Sequence, residues 1–304
     1  MRVSKKLAGV RDYVIRKTFS IWEKLGFHVY VNRFDSPIPD TRILKENIWL
    51  NPSELVGINL NWEKQFELLS IFRTNFKNEY DNFPKDKTPT NHEYYLNNPN
   101  FGSIDAEILY CMIRHFKPKR IFEIGSGFST FLSAQAILKN KQIHNRYDCE
   151  LVAIDPFPNQ VLSAGFPGLS ELKAKRVQEI PYSEFQKMEE NDILFIDSSH
   201  ILTIGSDVHY EYLEIIPRLK KGVLVHIHDI YWPHEYEKEW VLKDHTFYNE
   251  QYLLQSFLAF NNSFEVLWTG NYMMFKYPDK LEAAFNSYNK EKSWPHSLWM
   301  RRTK

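Results

Sequence analysis

Short apolar runs alternate with amphipathic stretches along the chain from about residue 103 onward. Continuous apolar runs of four or five residues are typical of strands buried on both faces of a parallel sheet, whereas apolar residues spaced by three and four are typical of helices. A two-residue link that contains glycine indicates a hairpin near the end of the chain. The predicted strands are 120–124, 151–154, 175–178, 193–196 and 223–227, followed by an antiparallel hairpin of 264–269 and 272–277 around Gly270 and Asn271.

Helical spacing occupies most of the segments between these strands. The predicted helices are 104–116, 130–138, 182–188, 206–216 and 250–259. Alternating strands and helices predict an α/β fold, a doubly wound Rossmann-like sheet that is mostly parallel and ends in the C-terminal antiparallel hairpin. Such a sheet binds its ligands outside the carboxyl ends of its strands. The residues that follow each strand are therefore the candidates for a functional site.

The first hundred residues lack this alternation. Residues 61–80 place apolar side chains on one helical face, 34–40 contain two prolines that exclude a regular strand, and 82–100 are rich in proline, asparagine and charge. The sequence therefore predicts three parts. These are a helical and irregular N-terminal extension over 1–100 that serves as a substrate cap, a ligand-binding domain over 101–280, and a C-terminal tail over 281–304 that packs on the body.

The charges balance, with 38 basic and 38 acidic side chains, so no overall field favours nucleic acid and we expect a small-molecule or glycan partner. Two cysteines without clustered spacing, no apolar run of about 20 residues and no secretory signal predict a cytoplasmic protein without a transmembrane segment. Residues 1–25 hold seven basic residues and two acidic ones. We interpret them as a surface helix packed on the body, with contact to a membrane surface as the alternative.

The turn after the first predicted strand is rich in small residues. It contains Glu123, Gly125, Ser126, Gly127 and Thr130. Glycines let a ligand approach the backbone closely, and the free N–H groups of the following helix attract a negatively charged group. The turn lacks the third glycine of a dinucleotide fingerprint and the lysine of a phosphate loop, so the pattern disfavours NAD and ATP.

Two further positions complete a predicted nucleoside pocket. Asp155 ends the second strand, where an acid accepts hydrogen bonds from the two hydroxyls of a ribose. Gln178 lies at the end of the third predicted strand. Because both residues lie at the ligand-binding edge of the sheet, we expect them to lie beside the glycine turn.

Acidic and imidazole side chains follow the next two strands. Asp197 and His200 come after the fourth strand, and His228 and Asp229 end the fifth. Histidine titrates near neutral pH, so His200 is a candidate general base that deprotonates a hydroxyl. Asp197, His228 and Asp229 are candidate ligands of a divalent cation, which would stabilise the alkoxide that develops on the substrate.

Together these motifs resemble the class I S-adenosylmethionine-dependent methyltransferases over about residues 103–277. The resemblance implies that S-adenosyl-L-methionine is the cofactor. The spacing of Asp197 and His200 further resembles the metal-dependent sugar O-methyltransferases that modify macrolides. This branch implies Mg²⁺ or another divalent cation and a sugar hydroxyl as acceptor, although His228 stands where the branch has an acid.

The resemblance also implies a role for each residue of the pocket. Gly125, Ser126 and Gly127 would hold the amino-acid portion of the cofactor, and Glu123 would orient its amino group through water. Asp155 would hold the ribose, and Gln178 would border the adenine.

Two alternative functions remain open from the residues. His226 and His228 share one face of a strand and, with Asp229, fit a metal-dependent oxygenase or hydrolase. A non-catalytic nucleoside-binding module needs only the glycine turn and Asp155. The pair of Asp197 and His200 favours an enzyme, because binding alone does not require them.

Overall fold

The structure is a computed structural model that describes residues 5–304, and the chain forms two compact units. The first unit is the described part of Met1–Asn51 together with Glu237–Phe247. The second unit is Pro52–Tyr236 together with Tyr248–Lys304, and it contains the whole sheet. The boundary predicted near residue 100 lies inside this second unit.

The second unit is built on a seven-stranded sheet with the order β3-β2-β1-β4-β5-β7-β6. The first five strands are parallel, and β7 runs antiparallel to both β5 and β6. The doubly wound, mostly parallel fold with an antiparallel C-terminal pair is thereby confirmed. The strands are β1 Arg120–Ile124, β2 Glu150–Ile154, β3 Glu171–Lys173, β4 Ile193–Ile196, β5 Leu224–Ile227, β6 Phe264–Thr269 and β7 Leu298–Arg302.

Successive side chains of the strands contribute to two apolar cores, one on each face of the sheet. In β1, Ile121 belongs to one core, while Phe122 and Ile124 belong to the other. This alternation follows from the twofold repeat of a strand, and burial on both faces explains the continuous apolar runs in the sequence. The strand ends on one edge are consequently fixed by packing from both sides.

Helices cover both faces of the sheet in the second unit. They are α3 Trp62–Tyr80, α4 Asp105–Phe116, α5 Phe128–Ile143, α6 Gln160–Ala164, α7 Tyr182–Phe185, α8 Asp207–Tyr210, α9 Glu250–Leu258, α10 Gly270–Lys276 and α11 Pro278–Ala284. The predicted helix 206–216 is interrupted, because a π-helical turn at Glu211–Ile215 and a 3-10 turn at Ile216–Arg218 follow α8.

The first unit contains α1 Lys5–Lys24 and α2 Asn47–Leu50. Within it, the ring of Phe19 in α1 lies 5.9 Å from that of His28 and 5.8 Å from that of Tyr30. The apolar side chains Leu7 and Val14 are 64% and 49% exposed. Residues 1–4 of the predicted helix lie outside the described residues. Among the described helices, none combines the length and the apolar character needed to span a membrane.

Two predicted strands are wrong. The third strand is Glu171–Lys173 rather than 175–178, because the chain turns back after Lys173 and forms a 3-10 turn at Val177–Glu179. The partner of β6 is β7 rather than 272–277, which lies largely in α10. Helix is favoured there because it buries Met273 in the core, and the backbone N–H of Gly270 instead donates to the carbonyl of Ser297 at 2.9 Å.

Candidate functional site

The glycine turn after β1 packs directly against the end of β4. Gly125 has φ +82°, and a Cβ built on it would lie 1.9 Å from the carbonyl oxygen of Asp197. Its N–H donates to the carbonyl of Ile154 at 3.0 Å. Ser126 Oγ donates to Asp155 Oδ2 at 2.6 Å, which joins the turn to the end of β2. The turn therefore needs glycine at position 125, and it brings three strand ends together.

Glu123 stabilises the first turn of α5 through hydrogen bonds. Its Oε1 accepts hydrogen bonds from Ser129 Oγ at 2.6 Å and Thr130 Oγ1 at 3.0 Å, and Thr130 Oγ1 accepts from the Gly127 N–H at 2.9 Å. Burial raises the pKa of Glu123 to about 8, against the opposing effect of these hydrogen bonds. Because its side chain is fully buried, Glu123 acts on the turn from inside the protein.

A cavity of about 700 Å³ lies over the carboxyl ends of β1, β2 and β4. Its lining includes Gly125 and Ser126 from the turn, Asp155, Gln178 and Asp197. Four of the seven predicted cofactor residues are thus brought together, and Gln178 is held by a hydrogen bond from its Nε2 to a backbone carbonyl at 3.0 Å. The other three, Glu123, Gly127 and Thr130, are not among the lining residues.

His200 lies beside this cavity, enclosed by three carboxylates. Its Nε2 lies 3.2 Å from Asp197 Oδ1 and 3.3 Å from Asp229 Oδ2, and its Nδ1 lies 2.8 Å from Glu250 Oε2. Burial alone would lower the pKa of His200, but hydrogen bonds to Asp197 and Glu250 outweigh it and raise the pKa well above its usual value. Without bound ligands, the imidazolium form is therefore favoured.

Two residues of this region were missed in the sequence. Glu250 is the first residue of α9, and His296 lies in the segment before β7. One feature of the sequence could have indicated Glu250, because it is an acid in the first turn of a predicted helix. Nothing in the sequence, however, places that turn beside the end of β4. His296 follows a proline in the predicted tail, where no pattern indicated chemistry.

Asp229 connects His200 to His296. Its Oδ1 lies 2.8 Å from His296 Nδ1. Burial would raise the pKa of Asp229, but His296, His228 and His200 outweigh it and hold the pKa below its usual range. Burial alone would lower the pKa of His296, but the negative charge of Asp229 outweighs burial and raises the pKa to about 9. Asp229 is thus a carboxylate held between two imidazoles.

The predicted metal ligands do not form a single group. Asp197 and Asp229 group with His200, and their ligand atoms lie within 4.8 Å of one another. His228 instead groups with Asp105 and His296 at the same limit.

His226 belongs to neither group of candidate ligands within residues 5–304. It is fully buried, and its ring stacks on Phe195 with 3.9 Å between centroids. The trio of His226, His228 and Asp229 that the oxygenase or hydrolase alternative requires is therefore not assembled.

The fold is a doubly wound α/β sheet with a cavity over the carboxyl ends of β1, β2 and β4. Residues 122–230 match the family model described as a methyltransferase domain. The chain is also 32% identical over 197 residues to an uncharacterized protein of Archaeoglobus fulgidus, covering 62% of this chain and 86% of that protein. The chain therefore carries a methyltransferase domain of this family over residues 122–230.

Solved structures with a similar fold include two methyltransferases. An O-methyltransferase from Bacillus cereus in complex with SAH is 13% identical, with a TM-score of 0.38, and the match covers 95% of this chain and 100% of that one. The MycE methyltransferase from the mycinamycin biosynthetic pathway, in complex with Mg, SAH and mycinamycin VI, is 14% identical, with a TM-score of 0.37. That match covers 68% of this chain and 51% of that one.

Proposed function

We propose that this methyltransferase uses S-adenosylmethionine as its cofactor and transfers the methyl group to a hydroxyl of a sugar or another small-molecule acceptor. The observation that carries the proposal is the position of His200. It touches Asp197, which lines the cavity, so an imidazole that can accept a proton in its neutral form lies next to the place where the reactive methyl would be held. A methyltransferase that acts on a hydroxyl needs such a group, because the oxygen must lose its proton.

The residues that line the cavity would orient the cofactor. Gly125 and Ser126 would lie against its amino-acid portion, Asp155 would accept hydrogen bonds from the ribose hydroxyls, and Gln178 would border the adenine. Glu123, with Gly127 and Thr130, would support the glycine turn through the hydrogen bonds described above.

The transfer is a single displacement. When bound, S-adenosylmethionine would supply a methyl group that its sulfonium activates, and S-adenosylhomocysteine would leave as the product. Gly125, Ser126 and Asp155 would hold the cofactor so that this methyl group faces the acceptor oxygen. The hydroxyl proton passes to His200 Nε2, which must first be free of its own proton. Glu250 at Nδ1 fixes the orientation of the ring and stabilises the imidazolium that forms. Most of the acceleration comes from alignment of the two reactants, because the sulfonium is already activated.

A divalent cation fits the same edge of the site. Asp197 and Asp229 offer carboxylate oxygens, the ligands that Mg²⁺ prefers. When bound there, the cation would supply positive charge near the developing alkoxide. The two carboxylates would hold it, with His200 Nε2 beside them at 3.2 Å from Asp197 Oδ1 and 3.3 Å from Asp229 Oδ2.

The proposal is tested with His200→Gln, which removes the base. We expect the variant to bind S-adenosylhomocysteine with a Kd within about threefold of wild type by calorimetry. Methyl transfer to a panel of monosaccharides and small alcohols, followed as S-adenosylhomocysteine release, should fall by about 10²–10⁴-fold.

The matched control is His144→Gln at an exposed position after α5, which should change neither quantity. Full transfer by His200→Gln would refute the assignment of the base. Transfer only to nitrogen or carbon acceptors would refute O-methylation.

A further inference from the structure

We propose that Asp105, His228 and His296 form a binding site for a divalent transition-metal ion, separate from the cation position beside the cofactor. The three residues come from distant parts of the chain: the first residue of α4, the end of β5 and the segment before β7. Their ligand atoms nevertheless lie within 4.8 Å of one another. The rings of His228 and His296 lie 4.4 Å apart between centroids.

The side chain of His228 carries the strongest indication of a ligand. It is only 3% exposed, and neither of its ring nitrogens has a hydrogen-bond partner among residues 5–304. Leaving a buried polar group unpartnered costs about 1–3 kcal/mol, so a ligand at either nitrogen would stabilise this imidazole. A metal ion between His228 and its two neighbours would give one of these nitrogens a partner.

The two neighbours of His228 are already held in position. Asp105 accepts hydrogen bonds from the backbone N–H of His296 at 2.8 Å and from Ser297, by its N–H at 3.1 Å and its Oγ at 2.5 Å. His296 Nδ1 lies 2.8 Å from Asp229 Oδ1. A carboxylate beside one nitrogen of an imidazole is the usual arrangement behind a metal-binding histidine, because it fixes the orientation of the ring.

The chemistry of these ligands selects the kind of metal. Two imidazoles and one carboxylate favour Zn²⁺, Fe²⁺, Co²⁺ or Ni²⁺ over Mg²⁺ and Ca²⁺, which prefer oxygen ligands. The proposed site shares no ligand with the pair of Asp197 and Asp229. The protein would then discriminate between a transition metal at one site and Mg²⁺ at the other.

The test uses the full chain, freed of any affinity tag and treated with chelator, and Co²⁺ as the probe. Wild type should bind Co²⁺ in the presence of excess Mg²⁺ and show the visible absorption of Co²⁺ bound to nitrogen ligands. His296→Ala and His228→Ala should each weaken Co²⁺ binding by more than about 100-fold, since even outer partners of a metal contribute about 10–100-fold. Asp197→Asn should leave Co²⁺ binding within about threefold of wild type.

Thermal unfolding shows whether each variant is folded. His296 is partly exposed, so His296→Ala keeps the test decisive even if replacement of the more buried His228 unfolds the chain. The proposal is overturned if wild type binds no Co²⁺, if folded His296→Ala binds it as wild type does, or if Asp197→Asn abolishes binding. Loss of methyl transfer in His200→Gln bears on the base alone, so the two proposals fail independently.

Discussion

A single glycine determines whether the cofactor turn can form. Gly125 combines a positive φ of 82° with a position in which any Cβ would overlap the backbone of Asp197. Gly125→Ala should therefore lower the free energy of unfolding by about 2–4 kcal/mol, as strain and overlap in a packed backbone do. Urea denaturation measures the change.

Gly127 is the matched control for Gly125. It has an extended φ of 173°, and no atom of the described part of the chain lies within 4 Å of a Cβ built on it. Gly127→Ala should change stability by less than about 1 kcal/mol. If both variants lost the same stability, the close approach of the turn to β4 would not be the reason for glycine at position 125.

A buried carboxyl in α4 should make stability depend on pH. Burial raises the pKa of Glu107 from 4.5 to about 7, even though the Ile104 N–H donates to it at 2.6 Å and Ser287 Oγ also donates. The folded state thus holds this proton more tightly than the unfolded state. The stability that the group contributes is full below about pH 4.5 and is lost as the pH rises through about 7.

Glu107→Gln removes this titration. Between pH 4.5 and pH 8 the variant should lose less unfolding free energy than wild type, by up to about 3 kcal/mol. Chemical denaturation across that range measures the difference. Glu282→Gln, at an exposed position, should reproduce the wild-type pH dependence, and a Glu107→Gln profile parallel to wild type would show that Glu107 does not titrate in this range.

At the scale of elements, the two helices predicted before residue 100 differ in how they contribute to stability. Phe72 in α3 is fully buried in the main core, whereas Leu7 and Val14 in α1 are largely exposed. Phe72→Ala should cost about 3–5 kcal/mol of unfolding free energy, while Leu7→Gln and Val14→Gln should each cost less than about 0.5 kcal/mol. A large loss for the α1 variants would show that its apolar face is covered in solution.

The sequence predicted the elements best where burial on both faces leaves a continuous apolar run. Strands β1 and β4 have the predicted bounds, since their apolar residues are buried in one of the two cores. The short strand β3 is charged and lies at the edge of the sheet, so no apolar run indicated Glu171–Lys173. The apolar pattern of 272–277 is compatible with a strand as well as a helix. The segment is helical in the structure, where β6 pairs with β7 instead.

The position of a residue relative to a strand also explains which residues of the site were predicted and which were missed. Gly125, Ser126, Asp155 and Asp197 follow directly from their strands, so topology alone brought them to one cavity. Glu250 and His296 reach the site from segments whose spatial position no local pattern encodes. For the same reason His228, which ends a strand, could be placed at the sheet edge but not assigned to its partners Asp105 and His296.

For the whole molecule, the strand order makes the C-terminus essential to the sheet. Strand β7 lies between β5 and β6, so the sheet is complete only when residues 298–302 are in place. Trp299 in β7 is fully buried and pairs with His226 of β5 and Trp268 of β6. Without β7, two neighbouring strands would expose unpaired backbone groups and apolar side chains.

Truncation after Ser297 should therefore abolish cooperative unfolding and expose apolar surface, measured by thermal melts and binding of a hydrophobic dye. Trp299→Ala should keep the fold but lower its unfolding free energy by about 3–5 kcal/mol, because a large cavity remains where the buried indole was. Removal of exposed Lys304 alone should have no effect. If the chain ending at Ser297 unfolded cooperatively near the wild-type midpoint, β5 and β6 would have to pair without β7, and the seven-stranded order would be incorrect.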